Sequence, residues 1–411
     1  MSASNYCTCD PMDAIDHLAD VINWKEVFYA PVPDYVHYAC AAVLICLLLL
    51  GITGNGTAIL IYFKSEKLQT PQNLLLLNLA VVDTIMMLSC QPIFLFSSLV
   101  GGWKFGTAGC RVSGTFATFG GIGSILSMTA IAYDRYVMIS FSAEAKSIAS
   151  KTRSLKIIAL VWGYASIFAI IPNLGYGNFV LNGFKTSCTF DYVTQDLTTR
   201  TQLMFMYLMG FLSPLLISIF CYANIFHTVK QSRHKSSNPS KPSGKNNSKD
   251  ENKSKEFVIA KVSVISICLF LVAWMPYAIV ALIGQFYGPH LINPYLSTLP
   301  ALFAKSNCVY NPYVYAVGHS QYRNEIGNWL RQLIGIKNKT STAPKVQLRV
   351  NGNKDENKAG KISLECDSYL GVPGTNDDDH MLTSTNGREG ERVVVSMQDL
   401  STNNKTEFSA C

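Results

Sequence analysis

Lys305 has the most distinctive chemistry of any residue in this chain. It stands in FAKSNCVYNPYVYAV, residues 303 to 317, with no acidic residue near it in sequence. A lysine amine held away from water and from any anion either loses its proton or is altered covalently. The deprotonated amine is a nucleophile, and with an aldehyde it forms a Schiff base. The competing reading is a lysine facing a water-filled vestibule or a partner elsewhere in the chain. Three more ionisable residues sit in apolar surroundings: Asp83 in LNLAVVDTIM, and Asp134 with Arg135 in AIAYDRYVMIS.

These residues need elements to hold them, and the composition says which. The chain has 411 residues, 49% hydrophobic and only 15% charged, against about a quarter charged in soluble proteins. The apolar residues fall into blocks near the roughly 20 residues that span a hydrocarbon core as a helix. Seven are expected: Val36 to Phe63, Asn73 to Leu99, Ala108 to Ser140, Leu155 to Pro172, Gln202 to Val229, Phe257 to Phe286, and Pro294 to Val317. A soluble helical core would show a polar stripe, and YACAAVLICLLLLGITGN shows none. The fold class is therefore an all-α membrane protein, a seven-transmembrane helix bundle over 36–317. Lys305 lies about ten residues into the seventh span, roughly 15 Å deep. An uncompensated cation there costs at least about 2.5–3.5 kcal/mol.

Charge sets the expected orientation. The loops after the first, third and fifth spans carry Lys64 and Lys67; Lys146, Lys151 and Arg153; and a series from Lys230 to Lys255. Lys and Arg gather on the cytoplasmic side, which puts the N-terminus outside and the C-terminus inside. The net charge of +7 then reflects topology rather than nucleic-acid binding. Residues 1–35 form an extracellular tail without a signal-peptide core, and the first span serves as its own insertion signal. Residues 231–255 are polar and lysine-rich, a flexible cytoplasmic loop by composition. Residues 318–336 read as an amphipathic helix, with Tyr322, Ile326, Trp329, Leu330 and Leu333 near one face, lying on the inner leaflet. Residues 337–411 read as a disordered cytoplasmic tail. Its hydroxyls, among them Thr383, Ser384, Thr385 and Ser396, are either simply solvated or a phosphorylation platform.

Motifs in every span, in order, resemble the opsins, the retinal-binding branch of the rhodopsin-like (class A) G-protein-coupled receptors. GITGN carries Asn55 as the polar anchor of the first helix, and LNLAVVD carries Asp83. GCRVSGTFATFGGIGSI with Asp134, Arg135 and Tyr136 matches the third helix, FLVAWMPYA the sixth, and NPYVY, with Asn311, Pro312 and Tyr315, the seventh. A lysine six residues before Asn311 is similar to the retinal attachment site. The resemblance thus implies 11-cis-retinal bound covalently to Lys305. It implies a pocket from Gly114, Ala117, Thr118 and Gly121, which leave the third helix a face of small residues, with Phe270, Trp274, Tyr277, Ala301 and Tyr192. Trp274 and Tyr277, three apart, share a helix face; taken without Lys305, these aromatics are equally a core. It also implies a Cys110–Cys188 disulfide on the oxidising outer side. Arg135 would be locked to Asp134 and to Glu256, although Glu256 also reads as part of the solvated lysine-rich loop. The implied localisation is the plasma membrane. The implied partners are a heterotrimeric G protein and, through the tail, a receptor kinase and arrestin.

One departure is chemical. A protonated Schiff base in a buried pocket needs an anion. The two positions where opsins carry a carboxylate hold Ser113 and Asn182 here, and Phe94 and Ala301 are neutral too. Three readings follow: a bound inorganic anion, most simply chloride; an unprotonated Schiff base absorbing in the near ultraviolet; or Asp191 turned inward. Function classes separate on Lys305. A light-activated receptor, not an enzyme, needs Lys305 and the coupling motifs together. A retinal photoisomerase needs the lysine alone, and a receptor for a diffusible ligand needs neither a lysine there nor an aldehyde.

Overall fold

The computed structural model describes residues 24–141, 150–236, 247–318, 320–333, 382–385 and 392–395. Six of its helices are long and apolar enough to cross a membrane: Asp34–Lys64, Pro71–Leu99, Gly106–Ser140, Lys151–Leu174, Leu197–Gln231 and Ala260–Phe286. The turns between them are marked in sequence by capping residues. Thr70, Ser150, Asp196 and Asn293 each accept the backbone N–H three residues on, satisfying donors that a helix start leaves free. Pro71 and Pro294 take the first helical position, where a missing N–H costs nothing.

The seventh span is two helices, Pro294–Lys305 and Asn307–Gly318, with the break at Ser306. Tight bonds close it: Ser306 N–H donates to Phe303 O, and Val309 N–H to Ser306 O, each at 3.0 Å. Pro300 and Pro312 flank the break and supply no backbone donors. The fifth span also departs from a regular helix. It widens into a π-helical stretch at Met206–Leu212, just before Pro214.

Within the loop expected at 231–255, helix covers more than composition suggested. The fifth helix runs to Ser236 and the sixth begins at Asn247; Lys and Glu are good helix formers when little else decides. The N-terminal tail likewise contains a short helix, Trp24–Phe28.

At the end of the bundle where the third helix starts, strands β1 (Phe179–Leu181) and β2 (Cys188–Phe190) pair antiparallel, Phe179 opposite Phe190. The Cys110–Cys188 disulfide ties β2 to the start of the third helix across 78 residues, a long closure that restricts the unfolded chain. The hairpin turn also hangs from the seventh span. Gly183 N–H donates to Ser297 Oγ at 2.9 Å and Phe184 N–H to Thr298 Oγ1 at 3.0 Å. A Cβ at Gly183 would lie 2.5 Å from the Pro294 Cα, so only glycine lets these backbones meet.

On the opposite side, helix Ser320–Leu333 docks on the first span, with Tyr322 OH donating to Ala58 O at 2.7 Å. Tyr322, Ile326 and Trp329 pack there with Ile61 and Leu68, whereas Leu330 is 44% exposed and stands off that face. Residues 337–411 form a separate unit, in which β3 (Leu382–Thr385) pairs antiparallel with β4 (Arg392–Val395). The other expectations for this tail, and for 1–23, lie outside the described residues.

Candidate functional site

Lys305 ends the first half of the seventh span and is 7% exposed. Its Nζ lies 6.0 Å from the centre of the Phe94 ring. Among the described residues no carboxylate pairs with it. The break after Lys305 frees its carbonyl, which accepts Cys308 Sγ at 3.1 Å and Gln91 Nε2 at 3.3 Å. The lysine backbone is thereby pinned to the second span.

The side chain enters a cavity walled by Met86, Ala117, Thr118, Phe190, Trp274 and Tyr277, with Ala301 and Ala304 beneath. A second cavity beyond Trp274 shares Thr118, Phe190, Trp274 and Tyr277 and adds Gly121, Met206, Phe211 and Phe270. The indole is held by a stack on Phe270, 5.6 Å between centroids at 21°, and by the edge of Tyr277 at 6.2 Å. Gly121 lets it approach the third helix closely, where a Cβ would sit 2.5 Å from Trp274 Cη2. Tyr277 OH is hydrogen-bonded to the Thr189 hydroxyl of β2. The arrangement is one primary amine at the end of an elongated space of aromatic and apolar side chains. Those residues fit a retinal: an aldehyde for the amine, a flat polyene for the walls.

Seven of the nine pocket residues expected from sequence line these cavities. Two do not. Gly114 faces Phe179 of β1, whose ring a Cβ would meet at 2.3 Å. Tyr192 is one layer out, its OH 2.8 Å from Ser297 Oγ and its ring against Phe28. Phe190, Thr189, Met86 and Met206 were missed. Phe190 had a usable signal: in a strand, residues two apart share a face, and Cys188 is already fixed inward by its disulfide.

The uncharged positions are also placed. Ser113 is buried, and its carbonyl accepts Cys90 Sγ at 3.3 Å. Asn182 is in the hairpin turn, with Nδ2 donating to Ser187 Oγ at 2.8 Å. Asp191 is buried, and its Oδ1 accepts Val193 N–H at 3.0 Å and Thr194 N–H at 2.9 Å, a local turn that engages that oxygen. Beside it, burial first and the Asp191 charge second raise the Tyr29 phenol above its ordinary value. Burial likewise raises Tyr192, against the Ser297 bond.

Toward the other face, Asp83 joins three spans: Asn311 Nδ2 donates to Oδ2 at 2.8 Å, and Ser124 Oγ donates to Oδ1 at 2.5 Å. Tyr315 is buried against Leu75 and Met128. Asp134 pairs with Arg153 of the fourth span at 3.2 Å, a partner the sequence reading did not name. Asp134 and Arg135 have further partners, and the Glu256 side chain lies outside the described residues.

The chain matches the model of the 7 transmembrane receptor (rhodopsin family) over residues 54–315. It is 34% identical over 312 residues to a rhodopsin of Loligo forbesii, covering 74% of this chain and 68% of that one. It is 36% identical over 319 residues to a Gq-coupled rhodopsin of Mizuhopecten yessoensis, covering 77% and 63%. The crystal structure of squid rhodopsin superposes with a TM-score of 0.70 at 33% identity, covering 74% of this chain and 88% of that one. The chain belongs to the rhodopsin family of seven-transmembrane receptors and, within it, to the opsins, light-sensing G-protein-coupled receptors with a retinal chromophore. It is accordingly a multi-pass membrane protein.

Proposed function

We propose that this opsin holds 11-cis-retinal covalently on Lys305 Nζ as a Schiff base, with no carboxylate answering the charge on that nitrogen. The observation that carries this is the setting of Lys305: buried at the break of the seventh span, over Phe94, with no acid paired to it among the described residues. When bound, the chromophore supplies the photoisomerisation. The chain supplies the rest. Gln91 and Cys308 hold the Lys305 backbone, Phe270 and Gly121 hold Trp274 in its plane, and the β2 strand excludes water from above. Movement of Trp274 is relayed through the sixth span and the Asp83–Asn311 contact to the Asp134–Arg135 face. There a heterotrimeric G protein binds. The relative named as Gq-coupled points to that class.

The orientation follows the Lys and Arg distribution, with the N-terminus outside and the tail inside the plasma membrane. Thr383, Ser384, Thr385 and Ser396 are the proposed receptor-kinase sites, read by arrestin. Without a carboxylate, either chloride held by donors such as Ser113 balances Nζ, or Nζ is unprotonated. The test is an absorption spectrum after reconstitution with 11-cis-retinal, in chloride and in sulfate. A visible band that moves in sulfate identifies a bound anion, and a near-ultraviolet band in both identifies the unprotonated form. An unchanged visible band in both rejects the missing carboxylate. Lys305→Ala should lose the covalent chromophore while a diffusible-ligand receptor would keep signalling.

A further inference from the structure

A cavity of about 120 Å³ lies between the end of the first span and the amphipathic helix. Glu325, Asn328, Trp329 and Gln332 line it from the helix; at spacings of three, four and seven they share one face. Lys64, the last residue of the first span, and Ser65 line the other side. Ile61 closes the apolar floor, 2% exposed.

The polar side chains there are not used by the fold. Among the described residues Lys64 and Glu325 form no ion pair with each other, and no side-chain hydrogen bond engages Ser65, Asn328 or Gln332. Opposite charges thus face one cavity without meeting, with amide and hydroxyl groups between them. The end of a membrane-spanning helix meets the lipid headgroups. Lys64 ends a 31-residue apolar helix, and a tryptophan at the rim is the usual interfacial residue.

We propose that this cavity binds the headgroup of an ethanolamine phospholipid. The phosphate is met by Lys64 Nζ and by the donors of Ser65 and Asn328, and the primary ammonium donates to the Glu325 carboxylate. The charge order selects against the alternatives. A serine headgroup offers the same phosphate and primary ammonium but sets its own carboxylate beside that ammonium, against the Glu325 charge. A quaternary ammonium has no N–H for Glu325. The lipid would brace the amphipathic helix against the first span through the edge that Tyr322 does not hold.

The full chain, purified in detergent and stripped of lipid, is titrated with dioleoyl-phosphatidylethanolamine, -phosphatidylcholine and -phosphatidylserine, and first-lipid binding is read by native mass spectrometry. The ethanolamine lipid should bind about five- to ten-fold tighter than either other lipid, the scale of one charge-assisted hydrogen bond at a partly wet site. Glu325→Gln should bring ethanolamine and choline lipids to parity with an unchanged melting temperature. Lys64→Ala should weaken both, and Lys67→Ala, outside the cavity, neither. Asn328→Leu, which fills the space without changing charge, should lose the preference. Equal binding of ethanolamine and choline lipids by the unmodified chain, a preference for the serine lipid, or a preference that survives Glu325→Gln each overturns the assignment.

Discussion

Asn55 of the first span donates from Nδ2 to the Cys308 carbonyl of the seventh at 2.8 Å. That carbonyl is one Pro312 leaves empty, since the residue four further on has no N–H to give. The kink and the interhelix bond are therefore two halves of one accommodation. Asn55→Ala should leave a buried acceptor unmet and cost roughly 1–3 kcal/mol, read as faster thermal inactivation. Adding Pro312→Ala restores an N–H at that position and should return part of the loss, making the pair sub-additive by about 1 kcal/mol. Strict additivity would show that Asn55 acts elsewhere.

Gly121 sets the depth of Trp274. A methyl there would sit 2.5 Å from Cη2 and 2.8 Å from Cζ2 of the indole, so the ring must leave its stack on Phe270. Gly121→Ala should cost about 1–3 kcal/mol as overpacking and lower pigment yield with 11-cis-retinal. Gly121→Ala with Trp274→Phe, which removes the colliding ring, should recover yield. Failure of the smaller ring to rescue would put the effect in the helix rather than in the contact.

Arg153 bridges the third and fourth spans at Asp134, with its side chain 21% exposed and that of Asp134 6%. Partial solvation keeps such a pair weak, roughly 1 kcal/mol or less, and Asp134 keeps its other partners. Arg153→Ala should therefore lower the melting temperature only slightly, and by less in high salt than in low. A large, salt-independent loss would mean that the guanidinium acts through packing, for example over the Tyr133 ring 5.7 Å away.

What was legible in the sequence is what violates its surroundings. Lys305, Asp83 and Asp134 stand out because ionisable groups are costly in apolar spans, and the third-helix glycines because small residues there demand a close neighbour. What was hidden depends on tertiary pairing. Gly114 and Gly121 are the same residue type on one face of the third helix, two turns apart, yet one meets Phe179 of the hairpin and the other Trp274. Pro312 announces an irregular seventh span, but only the local bonds put the break at Ser306. Arg153 was legible as an orienting charge and not as the Asp134 partner, because the two lie nineteen residues apart on different spans. Phe190 ends strand β2, where the helical pattern that exposed Phe270 does not run and only the two-residue alternation from Cys188 gives its side.

Asp191 is where the proposal of a pigment without a carboxylate counterion is most directly tested. It follows β2 closely, and an inward carboxylate would give Lys305 an ordinary anion. Its Oδ1 instead accepts the amides of Val193 and Thr194. Asp191→Asn keeps that acceptor oxygen but removes the charge, so it should lose only the difference between charged and neutral bonds, about 1 kcal/mol. Asp191→Ala leaves both N–H groups without an acceptor and should lose more. Neither should move the absorption maximum of the reconstituted pigment, measured at one pH and one chloride concentration. A maximum displaced strongly toward the ultraviolet in Asp191→Asn would mean the carboxylate reaches Lys305 in the assembled pigment. The turn seen here would then have to open when retinal binds, and the proposal of a pigment without a carboxylate counterion would fail.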